Sequence, residues 1–225
     1  MATSPVKIFA ALLLGAGVLA ASGYGYVYYA GALSPRFRGL DDYRARVDAI
    51  PEFAERAEQT RTPEERLALA LRLSRQGMHR LPDAAVVGVA QVKAKLLAAA
   101  DSQACAGIAR NTDLGAVLDA YPAELARLDT ASANAWTLLA YRAALAELKQ
   151  EPPRQPGEEE VTAAMAALIA TLPAPQRDRF VNALSDKPGT SDADACWAGR
   201  TLYRKLVTMP EPTRGVLARA VLTDP

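Results

Sequence analysis

Ile8-Phe-Ala-Ala-Leu-Leu-Leu-Gly-Ala-Gly-Val-Leu-Ala-Ala-Ser-Gly-Tyr-Gly-Tyr-Val-Tyr-Tyr-Ala30 runs for 23 positions without a charge. A helix rises about 1.5 Å per residue, so roughly 20 apolar residues cross a hydrocarbon core of about 30 Å. The stretch therefore predicts a single transmembrane helix, with residues 1–34 as anchor and linker. Lys7 precedes it, and Tyr24, Tyr26, Tyr28 and Tyr29 crowd its far end, where rings sit at headgroups with their hydroxyls in water. A cleaved signal peptide is the rival, with Ile8 to Leu19 as apolar core and Ala20-Ala21-Ser22 as cleavage site. The anchor is favoured because the apolar run continues well past that cut.

Orientation follows from two opposed signals. Arg36, Arg38, Arg44 and Arg46 outnumber Lys7 and would hold the following domain in the cytoplasm. Long domains translocate largely regardless of loop charge, and the two cysteines suit an oxidising space. The expectation is a single-pass protein of the cytoplasmic (inner) membrane, its large domain facing the periplasm or exterior. Membrane lipid is then its first partner, through Ile8 to Ala30.

About 195 residues remain, enough for one real core or two small ones. Half the chain is apolar, 23% is charged, and 26 basic residues balance 25 acidic ones to a net +1. That balance carries no electrostatic footprint for nucleic acid. Alanine is frequent and aromatics are only 6%, a composition that favours closely packed helices over sheets. The predicted fold is all-α: the anchor, then an alanine-rich domain of about eight short helices.

Local signals place those helices. Thr62-Pro63-Glu64-Glu65 reads as a capping box with proline at the first helical position. Pro82-Asp83 opens a segment apolar over more than half its circumference, read as the central buried helix. Leu114, Val117, Leu118 and Tyr121 have helical spacing, and Asp129 or Thr130 caps a helix holding Trp136, Leu139 and Ala140. That last spacing resembles the first helix of a tetratricopeptide repeat over about twenty residues, without the 34-residue recurrence of an array. Glu151-Pro152-Pro153-Arg154-Gln155-Pro156-Gly157 is a stiff break between helical subdomains at 35–150 and 158–225. Ser191-x-x-Asp194 is a second capping box, opening a helix with Cys196 and Trp197.

Cys105 and Cys196 are the only cysteines, each about one turn inside a helix start. In an exported chain they read as one disulfide tying the two sides of the proline-rich break. His79 is the only histidine, so no zinc pattern forms, and no phosphate loop, dinucleotide fingerprint or nucleophile elbow is present. No catalytic residue, cofactor or metal is expected from these motifs. Trp197, Arg200 and Tyr203 mix aromatic and cationic groups and form a candidate partner face, though snorkelling cations over an apolar body explain them as well. The leading expectation is an envelope domain that binds another protein, as scaffold, adaptor or inhibitor. The alternatives are an enzyme whose site assembles only in the fold, and a binder of lipid or another apolar ligand between helices.

Overall fold

The computed structural model describes residues 38–110, 124, 126–185 and 190–222. The tyrosine-rich segment Ile8 to Ala30, the stripe from Leu114 to Tyr121 and the Pro188-Gly189 turn lie outside the described residues. No described helix is long and apolar enough to cross a membrane. Residues 39–225 cluster as one compact unit.

Among the described residues there are ten α-helices and no strand, two more helices than the sequence pattern suggests. They are α1 (Arg38–Asp48), α2 (Pro51–Ala57), α3 (Pro63–Gly77), α4 (Asp83–Ala99), α5 (Ser102–Arg110), α6 (Thr130–Leu148), α7 (Glu158–Ala170), α8 (Ala174–Leu184), α9 (Asp192–Leu206) and α10 (Thr213–Leu222). A single 3₁₀ turn, Met78–Arg80, joins α3 to α4. The starts follow side-chain chemistry. Thr62 accepts a hydrogen bond from the Glu65 N–H at 3.2 Å, Asp129 from Ser132 at 2.8 Å and Ser191 from Asp194 at 3.1 Å. The Thr62 box is only half closed, because the Glu65 carboxylate accepts from the Arg61 N–H at 2.6 Å, one residue upstream of the cap.

The expected central helix is α4. Val86, Val89, Ala90, Leu96 and Leu97 are fully buried, and the helix packs on α5, α6, α9 and α10. Two tight helix pairs flank it. The first is α3 with α6. A Cβ built on Gly77 would lie 1.8 Å from the Ala143 carbonyl oxygen, so only glycine lets these backbones meet. One turn earlier, Ser74 donates to the Ala140 carbonyl at 2.8 Å and shares a 2.7 Å hydrogen bond with the buried Tyr43 hydroxyl, drawing α1 into the same contact.

The second pair is α5 with α9. Cys105 and Cys196 are joined by a disulfide with Cα atoms 5.1 Å apart, across a sequence separation of 91. Closing a loop of that length is worth roughly 4–5 kcal/mol in the chain-entropy model. One turn along α9, Gly199 faces Ala109, where an added Cβ would approach the alanine Cβ to 2.5 Å.

The Glu151–Gly157 stretch is extended and mostly exposed. It is held to the 3₁₀ turn: Arg154 N–H donates to the His79 carbonyl at 2.9 Å, and the Arg80 guanidinium bonds the Glu151 carbonyl. Arg219 of α10 is buried and gathers the same region. It donates to the Arg154 and His79 carbonyls, each at 3.1 Å, to the Leu81 carbonyl at 2.7 Å and to Asp83.

Substituting Gly77→Ala forces a methyl into backbone, so it is expected to lower the unfolding free energy by ~2 kcal/mol or more. Urea titration checks this; an unchanged midpoint contradicts the described α3–α6 contact.

Candidate functional site

The C-terminal helices enclose a half-open groove of about 280 Å³. Helix α9 supplies Ala195, Gly199, Leu202 and Tyr203; α5 supplies Ala109 and Arg110. Met165 of α7, Leu184 of α8 and Ala220 and Val221 of α10 complete most of the lining. The groove exists because α5 and α9 are pinned by the disulfide while small residues keep the neighbouring helices from filling the space. Among the described lining residues the side chains are apolar apart from Arg110 and Tyr203, although a substantial share of the surface they expose to the groove is polar. None of these described side chains is a carboxylate, a histidine, a serine or a free thiol.

Tyr203 is 2% exposed, and its hydroxyl donates to the Val221 carbonyl at 3.4 Å. Burial pushes its hydroxyl pKa well above the ordinary tyrosine value. Over its ring, with Nζ 4.8 Å from the centroid, lies Lys93 of α4. Lys93 is only 1% exposed. Burial lowers its pKa to about 8, although the ring's π face favours the charged form. A lysine tuned this way is the kind of group enzymes use. Here it is sealed in the core and is not among the residues lining the groove.

The three residues of the expected partner face lie on α9 but do different work. Tyr203 belongs to the core and the groove. Arg200 donates to the Leu97 and Ala100 carbonyls, both at 2.7 Å, and so caps the C-terminus of α4. Trp197 is partly buried: Phe180 meets it edge-on at 6.2 Å, and the Arg179 guanidinium stacks 4.4 Å from its ring centroid. Trp197 thus seats α8 on α9, and the three do not make one surface. Leu138 and Val181 are the exposed large hydrophobic residues among those described, and they lie on different helices. The Glu158–Glu160 run is exposed at the start of α7, where Glu160 reaches back to the Gly157 N–H at 2.9 Å. Among the described residues no group of three or more histidine, cysteine, aspartate or glutamate side chains could hold a metal ion.

The sequence reading did not single out Lys93, Arg110 or Arg219. Lys93 does carry a local signal. It lies four residues after Val89 and three and four before Leu96 and Leu97, inside the apolar stripe of α4. Arg110 and Arg219 acquire their roles from partners 82 and 136 residues away, which no local pattern reveals. No family model, curated protein or solved structure matches the chain.

The Lys93 environment has a measurable consequence. Its folded-state pKa is depressed, so between about pH 8 and 10 the unfolded chain holds a proton that the folded chain has released. Stability therefore rises with pH over that window, and the burial penalty is fully present below it. Raised tyrosine pKa values act in the opposite sense above about pH 10. Lys93→Met is expected to flatten the rise and to add on the order of 2 kcal/mol at pH 7. Urea titrations of both proteins from pH 7 to 9.5 test it; parallel pH profiles contradict it.

Proposed function

We propose that this chain is a membrane-tethered, exported binding protein that takes an apolar ligand in the α5/α7/α8/α9/α10 groove. The observation that carries the reading is the groove itself, more apolar than polar and lined by small and flexible residues, with Arg110 and Tyr203 the polar side chains among the described ones. Ligand sites have this character, a mostly apolar concavity with few polar groups to set orientation. The buried disulfide supports export, because structural disulfides persist in oxidising compartments. Tethering through Ile8 to Ala30 rests on the length and apolarity of that segment.

Size narrows the ligand. Pockets for small molecules span roughly 300–1,000 Å³, and about 280 Å³ lies at the bottom of that range. One short chain or one small ring fits; a two-chain lipid does not. Burying a chain of eight or so carbons contributes roughly 6 kcal/mol before the costs of association, so affinity is expected in the millimolar range or weaker once those costs are subtracted.

Binding of another protein is the second reading, and the same groove is the feature that favours it, by accepting one or two apolar side chains of a partner helix. The scattered placement of Leu138 and Val181 gives it less support than the ligand reading, because protein docking sites are usually contiguous apolar patches of several hundred Å².

Photolabelling of the full chain with a diazirine-bearing 1-octanol tests the proposal. Label is expected on peptides holding Met165, Leu184 and Val221, and its loss in Met165→Trp and Ala220→Trp, which fill the groove. Label spread over the surface, or unchanged in both variants when they remain folded, contradicts it.

A further inference from the structure

The groove makes no use of the Glu151–Gly157 stretch, and proline chemistry fixes most of that backbone. The rings of Pro152, Pro153 and Pro156 hold φ at about −65°. Glu151, Pro152 and Gln155 each precede a proline, which pushes them to the β or polyproline II region. Gly157 closes the run at φ −66° and ψ 151°, within the polyproline II range. Arg154 is the position that no proline constrains, and tertiary hydrogen bonds hold it instead. Its N–H donates to the His79 carbonyl at 2.9 Å, and its carbonyl accepts from Arg219 at 3.1 Å. Both ends are fixed as well. Gln150 turns the chain out of α6 at φ 50°, and the Glu151 N–H donates back to the Ala146 carbonyl at 3.0 Å. At the other end the Glu160 carboxylate accepts from the Gly157 N–H at 2.9 Å.

Polyproline II has three residues per turn, so positions i and i+3 share an edge. The carbonyls of Glu151 and Arg154, three apart, accept from the Arg80 and Arg219 guanidinium groups, so this edge lies against the domain. The other two edges carry Pro152 with Gln155 and Pro153 with Pro156. Pro152, Pro153 and Gln155 are exposed, and Pro156 is half-buried. Pro152-Pro153 and Gln155-Pro156 are thus two x-Pro pairs separated by one residue, the repeat that a polyproline II ligand presents to a groove lined with aromatic rings. A connector needs only to reach from α6 to α7. Fixing its backbone at both ends and in the middle also removes the ordering cost that a flexible peptide meets on binding. Charge argues against an anionic surface as the occupant, because Glu151 and Glu158 to Glu160 flank the single cation of the stretch, Arg154. We propose that this strap docks in an aromatic-lined groove of a partner protein, with its two x-Pro pairs against the rings and the exposed Arg154 side chain beside them. The surface is separate from the α5/α7/α8/α9/α10 groove and stands whether or not that groove takes a ligand.

Photocrosslinking tests this, with benzoylphenylalanine in place of Gln155 in the full chain, irradiated in the cells that make it. One discrete adduct is expected, absent when the probe replaces Leu138 or Val181, which are exposed elsewhere. The partner peptide in that adduct is expected to hold or adjoin tryptophan or tyrosine. Pro153→Ala with Pro156→Ala removes two rings and is expected to weaken the adduct severalfold while urea titration still reports a folded chain. Should that variant unfold, competition decides. An excess of the free Glu151-to-Gly157 peptide, added to isolated membranes, is expected to erase the adduct, and the same peptide with alanine for its three prolines is not. No adduct at Gln155, equal adducts at Leu138 and Val181, or an adduct that neither the proline substitutions nor the peptide weakens would overturn the proposal and leave the strap a connector.

Discussion

The covalent link between Cys105 and Cys196 is the constraint on which the C-terminal half depends. It joins α5 to α9 across 91 positions, at a crossing where Gly199 and Ala109 already bring the helices into close contact. Small residues alone leave such a contact with little apolar area to bury, and alanine-rich helices gain less from burial than leucine-rich ones. The disulfide fixes the pair without needing that area. A fixed α5–α9 wall, with α7, α8 and α10 packed around it, leaves a groove that the available side chains do not fill.

The same shortage of bulk explains why long cations sit where a larger hydrophobic residue would be expected. Arg219 fills the space between α10 and the Met78–Arg80 turn and satisfies carbonyls from three places in the chain. Arg200 closes the end of α4, and Lys93 lies against the Tyr203 ring. In each case the aliphatic stem covers apolar surface while the charged end finds oxygen atoms or a π face. The extended Glu151–Gly157 stretch is held by this chemistry too, through backbone carbonyls that accept from Arg80 and Arg219.

Much of this was legible in the sequence, for a physical reason: helix starts are local. Thr62, Asp129 and Ser191 act within three residues of themselves, and their caps stand where the pattern puts them. The burial of α4 followed from an apolar stripe too wide for a surface helix, and the disulfide from there being two cysteines in a chain whose apolar opening segment led to an expectation of export. The function of Trp197, Arg200 and Tyr203 was not legible. Their spacing says that they share a helix, whereas their roles are set by Phe180, Leu97 and Val221, brought in by the fold. The groove was invisible for the same reason, since its lining comes from five helices and, Arg110, Gly199 and Tyr203 apart, the described residues are ordinary alanine, leucine, valine or methionine.

Everything from the groove wall to the compartment in which the domain works turns on those two sulfurs being bonded in the cell. Intact mass after alkylation, on the full chain taken unreduced from the cells that make it and denatured in the alkylating agent, measures this directly. The account predicts no adduct before reductant and two after it, one for each of the two cysteines of the chain. Two adducts before reductant would contradict it, and would remove both the fixed α5–α9 wall and the argument for an oxidising compartment.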